Sequence, residues 1–229
     1  MTRRAVPSDY DCDPGRFRLA RSVQRGHARV ADVHELVARR LTDEGLTPVL
    51  DVGCGEGELA RHLPPGAWVG LDSSPAMLER APEPTVQGVA TELPFADSSF
   101  GSLALLYVLY HLPEPLQALA EARRVLRVGG LVAVAAPSRY DSPELRDALP
   151  PEPLTFDAEL APELLSELFS DVEVERWDAP LIDLPSRDAV RDYLIGKGAE
   201  PGRARAAAAA TEVPLAVTKR GAVAFARKR

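Results

Sequence analysis

The chain has 229 residues, 45% of them hydrophobic, with 27 Lys and Arg against 34 Asp and Glu, a net charge of −7. That size and apolar content suit one domain with a single substantial core, while the acidic balance disfavours a nucleic-acid partner, whose phosphates call for a concentrated basic face. Two cysteines, Cys12 and Cys54, cannot supply a disulfide framework, and no apolar run has membrane-spanning length, so a cytoplasmic protein without membrane association is expected.

Residues 1–45 read as an N-terminal helical cap. Nine arginines face five acids over residues 1–40, a pattern expected of a solvated helix face, and Val30, Val33, Val37 and Leu41 share one side of a helix over 29–41 that stops at Gly45 and Pro48. Residues 46–137 alternate strand and helix signals, the order that builds a parallel sheet covered on both faces. Strands are predicted near 48–52, 67–71, 84–88, 102–107 and 131–136, and helices near 57–63, 75–81 and 115–126. Ser74 is placed as an N-cap with Pro75 at the first helical position, and Gly129-Gly130 as the end of the last of these helices.

Beyond Pro137 the chain turns proline-rich and acidic, with sixteen acids against five bases over residues 141–200. Residues 138–229 therefore read as a variable region of loops and short elements rather than a second core. Leu160, Leu164, Leu165 and Leu168 form one helical face, Val172 and Val174 alternate as a strand, and Ala189, Val190, Tyr193 and Leu194 form another amphipathic turn pair. The alanine-rich run 203–210 favours helix on propensity. A closing hairpin is predicted from Leu215–Thr218 and Ala222–Phe225, turning at Lys219-Arg220-Gly221.

The most specific stretch is Val49-Leu50-Asp51-Val52-Gly53-Cys54-Gly55-Glu56-Gly57-Glu58, an apolar strand entering a three-glycine turn. Glycine there permits positive φ and lets backbone approach a ligand. A dinucleotide fingerprint needs its third glycine where Glu58 stands, and a P-loop needs G-K-[ST], so neither phosphate motif fits. Asp51, Glu56 and Glu58, with no Lys or Arg over residues 49–60, would repel a pyrophosphate and attract a cation. A second apolar run ends at Asp72, nineteen residues after Gly53, where a carboxylate suits ribose hydroxyls.

These segments, with Leu93-Pro94-Phe95, Val108-Leu109-Tyr110-His111-Leu112 and Arg123-Arg124-Val125-Leu126 through Gly130, resemble the class I S-adenosylmethionine-dependent methyltransferases over about residues 49–137. They are closest in type to the small ubiquinone and menaquinone biosynthesis enzymes. The resemblance implies an α/β, three-layer Rossmann-like sandwich with a seven-stranded, mostly parallel sheet whose last strand is antiparallel. It also implies S-adenosylmethionine as cofactor, S-adenosylhomocysteine as product, and no metal. The turn residues Asp51, Gly53, Cys54, Gly55 and Gly57 would then meet the methionine part, and Asp72, Ser73 and Met77 the ribose side.

Where relatives carry Gly-Asp-Ala-Glu before Leu-Pro-Phe, this chain has Gly88-Val89-Ala90-Thr91-Glu92, so either the Ala90 and Thr91 main chain or the Thr91 hydroxyl holds the adenine amino group, or cofactor affinity is lower. Tyr107 completes the cofactor set. Tyr110, His111, Arg139 and Tyr140, at the sheet's carboxyl edge, and Tyr10 near the N-terminus are candidates for the acceptor. His111 is the one candidate base, its ordinary pKa lying near working pH, with an architectural role as the other reading. The acceptor is expected to be a small molecule, with O-, N- and C-methylation all open, and the protein a monomer or weak homodimer. A non-catalytic binder of the same nucleosides is the alternative.

Overall fold

The fold is described from a computed structural model over residues 33–150 and 154–229, together with Gly15, Leu19 and Ser22. Strands β1 (Val49–Val52), β2 (Trp68–Asp72), β3 (Thr85–Gln87), β4 (Phe100–Leu106) and β5 (Leu126–Pro137) pair in parallel. Strand β7 (Leu215–Arg227) runs antiparallel to both β5 and β6 (Ser170–Leu184), so the sheet order is β3-β2-β1-β4-β5-β7-β6. This is the seven-stranded α/β sheet expected, with one antiparallel strand.

β1 and β4 are buried along their whole length, as central parallel strands with both faces covered must be. Successive residues serve opposite faces. Leu50, Leu103, Leu105, Val132 and Val134 pack with helices α3 (Pro115–Val125) and α4 (Ala161–Leu168). On the other face Val49, Ala104, Leu131 and Ala133 pack with Val37, Ala38 and Leu41 of α1 (Val33–Asp43). Between β2 and β3 the short α2 (Pro75–Leu78) starts as expected, with the Ser74 hydroxyl accepting from the Met77 N–H.

Four local expectations are corrected. The segment predicted as a helix over 57–63 is a single 3-10 turn, Leu59–His62, because three positive-φ glycines leave no room for a longer start. Gly129 and Gly130 do not end α3. That helix stops at Val125 and the chain passes straight into β5, with Gly129 at φ 78° inside the strand.

The predicted hairpin at Lys219-Arg220-Gly221 does not form. β7 runs through it, and Gly221 is there because a Cβ would lie 2.4 Å from the Trp177 ring of β6, which packs over it. Last, residues 138–229 do hold a second core. Leu145, Ile182, Leu184 and Val217 join Val190, Tyr193 and Leu194 of α5 (Arg187–Gly196) and Ala204 and Ala208 of α6 (Pro201–Ala210). The small alanines at i and i+4 let α6 lie close against α5, and no local apolar run announces a core assembled from five separated segments.

Candidate active site

The carboxyl ends of β1, β2, β4 and β5 bring residues 51–57, 72–74, 107–111 and 138–142 to one edge of the sheet, beside the β1/β4 switch in strand order where open α/β sheets leave a crevice. Gly53, Gly55 and Gly57 all have positive φ, at 69°, 55° and 75°. At Gly53 the demand is doubled, since a Cβ would also meet Val108 at 2.5 Å. The Gly53 and Cys54 N–H groups both donate to the Leu71 carbonyl, at 2.7 and 3.0 Å, which ties the turn to the end of β2.

Asp72 fastens the same turn from the side. Its Oδ2 accepts from the Gly55 N–H at 2.8 Å and its Oδ1 from the Ser74 N–H at 2.9 Å. Cys54 is a buried free thiol, pushed up by burial and by the carboxylates of Asp51 and Asp72, which makes it inert. Met77 is buried beneath α2.

Asp51 is buried, and among the described residues its one hydrogen-bond donor is the Trp68 indole N–H at 3.1 Å, with no ion-pair partner. Burial pushes its pKa up to about 6, against the lowering effects of Trp68 and His34, with Asp72 adding to the rise. A buried carboxylate this poorly compensated is a site for an incoming cation. The ammonium and sulfonium of S-adenosylmethionine fit that demand, while a phosphate does not.

The adenine side is less as expected. A cleft of roughly 530 Å³ is lined by Ser73, Gln87, Gly88, Val89, Glu92, Leu93 and Pro94. Ser73 is in the predicted set, Gln87 and Glu92 are not, and Ala90 and Thr91 are absent from the lining. Ala90 is buried and the Thr91 carbonyl faces Gln117 at 3.4 Å. Leu93 is held from below, its N–H donating to Glu121 at 2.8 Å and its carbonyl accepting from Arg124 at 2.9 Å. Glu92 stands three residues from Val89 and pairs with it in an isolated bridge, a signal that only its proximity to the missing acidic position could have given.

Past the end of β4, Tyr107 adopts φ 62°, a left-handed conformation that costs a bulky residue roughly 1–2 kcal/mol. Its N–H is anchored on the Ala135 carbonyl at 2.9 Å. His111 ends the 3-10 turn Leu109–His111 and its ring lies 4.4 Å from that of Tyr110. Thr155 donates to the Leu112 carbonyl at 2.9 Å, fixing the loop beyond. Arg139 is tied inward to Asp157 at 2.9 Å and to Glu159, so it braces the edge, whereas Tyr140 is exposed. Tyr10 lies outside the described residues. A cluster not anticipated at all, Asp141, Ser142, Tyr193, Lys197 and Lys219, meets at the same edge. Among the described residues no helix is long and apolar enough to cross a membrane, and no group of side chains could hold a metal ion.

Residues 50–134 match the family described as a methyltransferase domain. A demethylmenaquinone methyltransferase of Staphylococcus aureus is 38% identical over 110 residues, 42% of this chain and 46% of that enzyme. The chain spans less than half the length of the curated relatives it matches. Among solved structures, the YcgJ protein of Bacillus subtilis shares the fold with a TM-score of 0.64 and 18% identity, over 86% of this chain and 99% of that one. The [4+2]-cyclase SpnF does so with a TM-score of 0.62 and 19% identity, over 100% and 99% of the two chains. The stretch similar to a methyltransferase domain thus carries both the acidic glycine turn and Asp72, which fastens it.

Proposed function

We propose that this protein transfers the methyl group of S-adenosylmethionine to a small-molecule acceptor. The observation that carries the reading is Asp51, a buried carboxylate with one neutral donor at the mouth of a phosphate-unfriendly glycine turn. When bound, the cofactor supplies a methyl group on a cationic sulfur, open to in-line displacement.

The chain's own residues have to bind, align and keep water out. Asp51 attracts the ammonium, the turn from Gly53 to Gly57 presents backbone to the methionine part, and the Asp72 carboxylate at the end of β2 accepts from the ribose hydroxyls. Glu92, at the cleft, accepts from the adenine amino group in place of the missing acid at Val89. His111, at the rim beside Tyr110, takes the proton of a neutral hydroxyl acceptor.

Calorimetric titration with S-adenosylmethionine, S-adenosylhomocysteine and NAD, followed by turnover on phenols, amines and quinols, tests the reading. Binding of both sulfur nucleosides, none of NAD, and transfer to one acceptor class are expected. Because a [4+2]-cyclase shares this fold and fold does not fix chemistry, tight binding with no transfer to any acceptor would favour a non-catalytic binder of the same nucleosides. Binding of NAD alone would sink both.

A further inference from the structure

The chain contains 24 arginines and only three lysines, Lys197, Lys219 and Lys228. Two of the three converge on one carboxylate. Asp141 is buried and its Oδ2 accepts from Lys197 Nζ at 3.1 Å and from Lys219 Nζ, while its Oδ1 accepts from the Arg220 N–H at 2.9 Å. Lys219 also donates to the Tyr193 hydroxyl at 2.9 Å and to Ser142 at 3.3 Å. An ammonium has three donors, so Lys219 is fully used, and its side chain is 13% exposed. Among the described residues Lys197 has one hydrogen bond, to Asp141, leaving two donors, and its side chain is 28% exposed.

Two ammoniums thus share one carboxylate, in a region otherwise rich in acids, Glu144, Asp157 and Glu159 among them. The other cations nearby are already neutralised, Arg139 by Asp157 and Glu159 and Arg220 by Asp178. The cluster also sits where an acceptor must come. The Ser138 and Ser142 N–H groups donate to the Arg220 and Thr218 carbonyls, at 2.9 and 3.0 Å, which places Lys219 just past the carboxyl end of β5. That strand neighbours β4, whose end carries Tyr107, Tyr110 and His111. Burial pulls the Lys197 ammonium down, but Asp141 outweighs it and raises the group.

We propose that Lys197, held in place by Asp141 and backed by Lys219, binds a carboxylate on the methyl acceptor, so that the substrate class is a small, singly charged organic acid. One ammonium with donors to spare suits a carboxylate. A phosphate would bring a second negative charge toward Asp141 without a second free cation to meet it. The assignment rests on the methyl-transfer reading above and narrows its acceptor.

The test pairs acids with their neutral esters. Caffeate, salicylate and anthranilate are each compared with the corresponding methyl ester, by transfer of labelled methyl from S-adenosylmethionine and by calorimetry on protein saturated with S-adenosylhomocysteine. The acids should exceed their esters by about ten- to a hundredfold in kcat/KM or, without turnover, in affinity. Lys197→Gln should erase that ratio by raising KM for the acid with kcat held, and Lys197→Arg should restore most of it. Esters equal to or better than acids, an unchanged ratio in Lys197→Gln, or no acid bound at all would overturn the proposal. The wild-type ratio decides even if the variant fails to fold. Failure of the sulfur nucleosides to bind is read separately, in the nucleoside titration, and strikes the methyl-transfer reading instead.

Discussion

Two buried aspartates at the same sheet edge are built in opposite ways. Asp51, on the cofactor side, has a single neutral donor and a pKa pushed up by burial to about 6. Asp141, on the acceptor side, is also penalised by burial, yet Lys197 and Lys219 hold it well below the usual carboxylate range. Among the described residues the first has no ion-pair partner, and a cationic ligand can supply one. The second is paired with two ammoniums at once. A cofactor with cationic groups and an acceptor with an anionic one are what two such sites would take from solution.

The largest expected effect breaks the acceptor side. Asp141→Ala leaves two ammoniums facing each other in a poorly solvated place, and should cost about 3–5 kcal/mol of unfolding free energy, measured by denaturant unfolding at neutral pH. Asp51→Asn should act in the other direction. The rise from the ordinary 3.8 to about 6 corresponds to roughly 3 kcal/mol against folding with the carboxylate ionised. The neutral amide should therefore stabilise the ligand-free protein by about 2 kcal/mol at neutral pH while weakening S-adenosylmethionine binding by about ten- to a hundredfold.

The pH dependences separate the pair further. Asp51 binds more protons folded than unfolded between about pH 4 and 6, so its contribution makes the ligand-free protein more stable as pH falls through that window. Asp141 binds fewer, so its contribution is present above about pH 4 and is lost below it. Unfolding curves at pH 7, 5 and 3 for wild type and Asp51→Asn test the sign, and a wild type that loses stability between pH 7 and 5 to the same extent as Asp51→Asn would contradict it.

The two sides also differed in how much the sequence disclosed. The cofactor side is written in contiguous runs. Asp51 to Gly57 and the end of β2 at Asp72 are each short segments whose residue types are dictated by backbone geometry and by one ligand. The Asp141 cluster draws Asp141, Tyr193, Lys197 and Lys219 from a loop, the C-terminal end of a helix and a strand, and no spacing rule links them. The same holds for the fold. β1 and β4 announce themselves as unbroken apolar runs, whereas Lys219-Arg220-Gly221 reads as a turn until Trp177 is seen lying over Gly221. Glu92 was legible as a residue but not as a substitute for Val89, because which side chain faces the cleft depends on the bridge that turns the chain there.

Within the cofactor turn, two glycines that look alike in sequence should respond unequally. Gly53→Ala combines a left-handed backbone with a Cβ 2.5 Å from Val108, and should cost about 2–4 kcal/mol and abolish measurable cofactor binding. Gly55 has the same sign of φ but open space around its Cβ, so Gly55→Ala should cost about 1 kcal/mol. Thermal unfolding of both variants, in the same buffer, measures the difference. Equal losses would mean that Val108 moves aside and that the close approach at Gly53 is not what fixes the turn.

The smallest expected effect lies at the cleft. If Glu92 receives the adenine amino group, Glu92→Ala removes one charge-assisted hydrogen bond at a solvent-open rim, and S-adenosylmethionine affinity should fall by about tenfold. Stability should stay within about 0.5 kcal/mol, as for an ordinary surface change. Gln87→Ala is the companion variant, since Gln87 lines the same cleft and donates to the Ser73 carbonyl at 3.3 Å. S-inosylhomocysteine, which carries a carbonyl where S-adenosylhomocysteine has the amino group, sharpens the comparison. Wild type should discriminate between the two nucleosides by about tenfold and Glu92→Ala by much less, whereas Gln87→Ala should keep the discrimination, because an amide can face either group by turning over. Discrimination that survives in Glu92→Ala and disappears in Gln87→Ala would hand the adenine contact to Gln87.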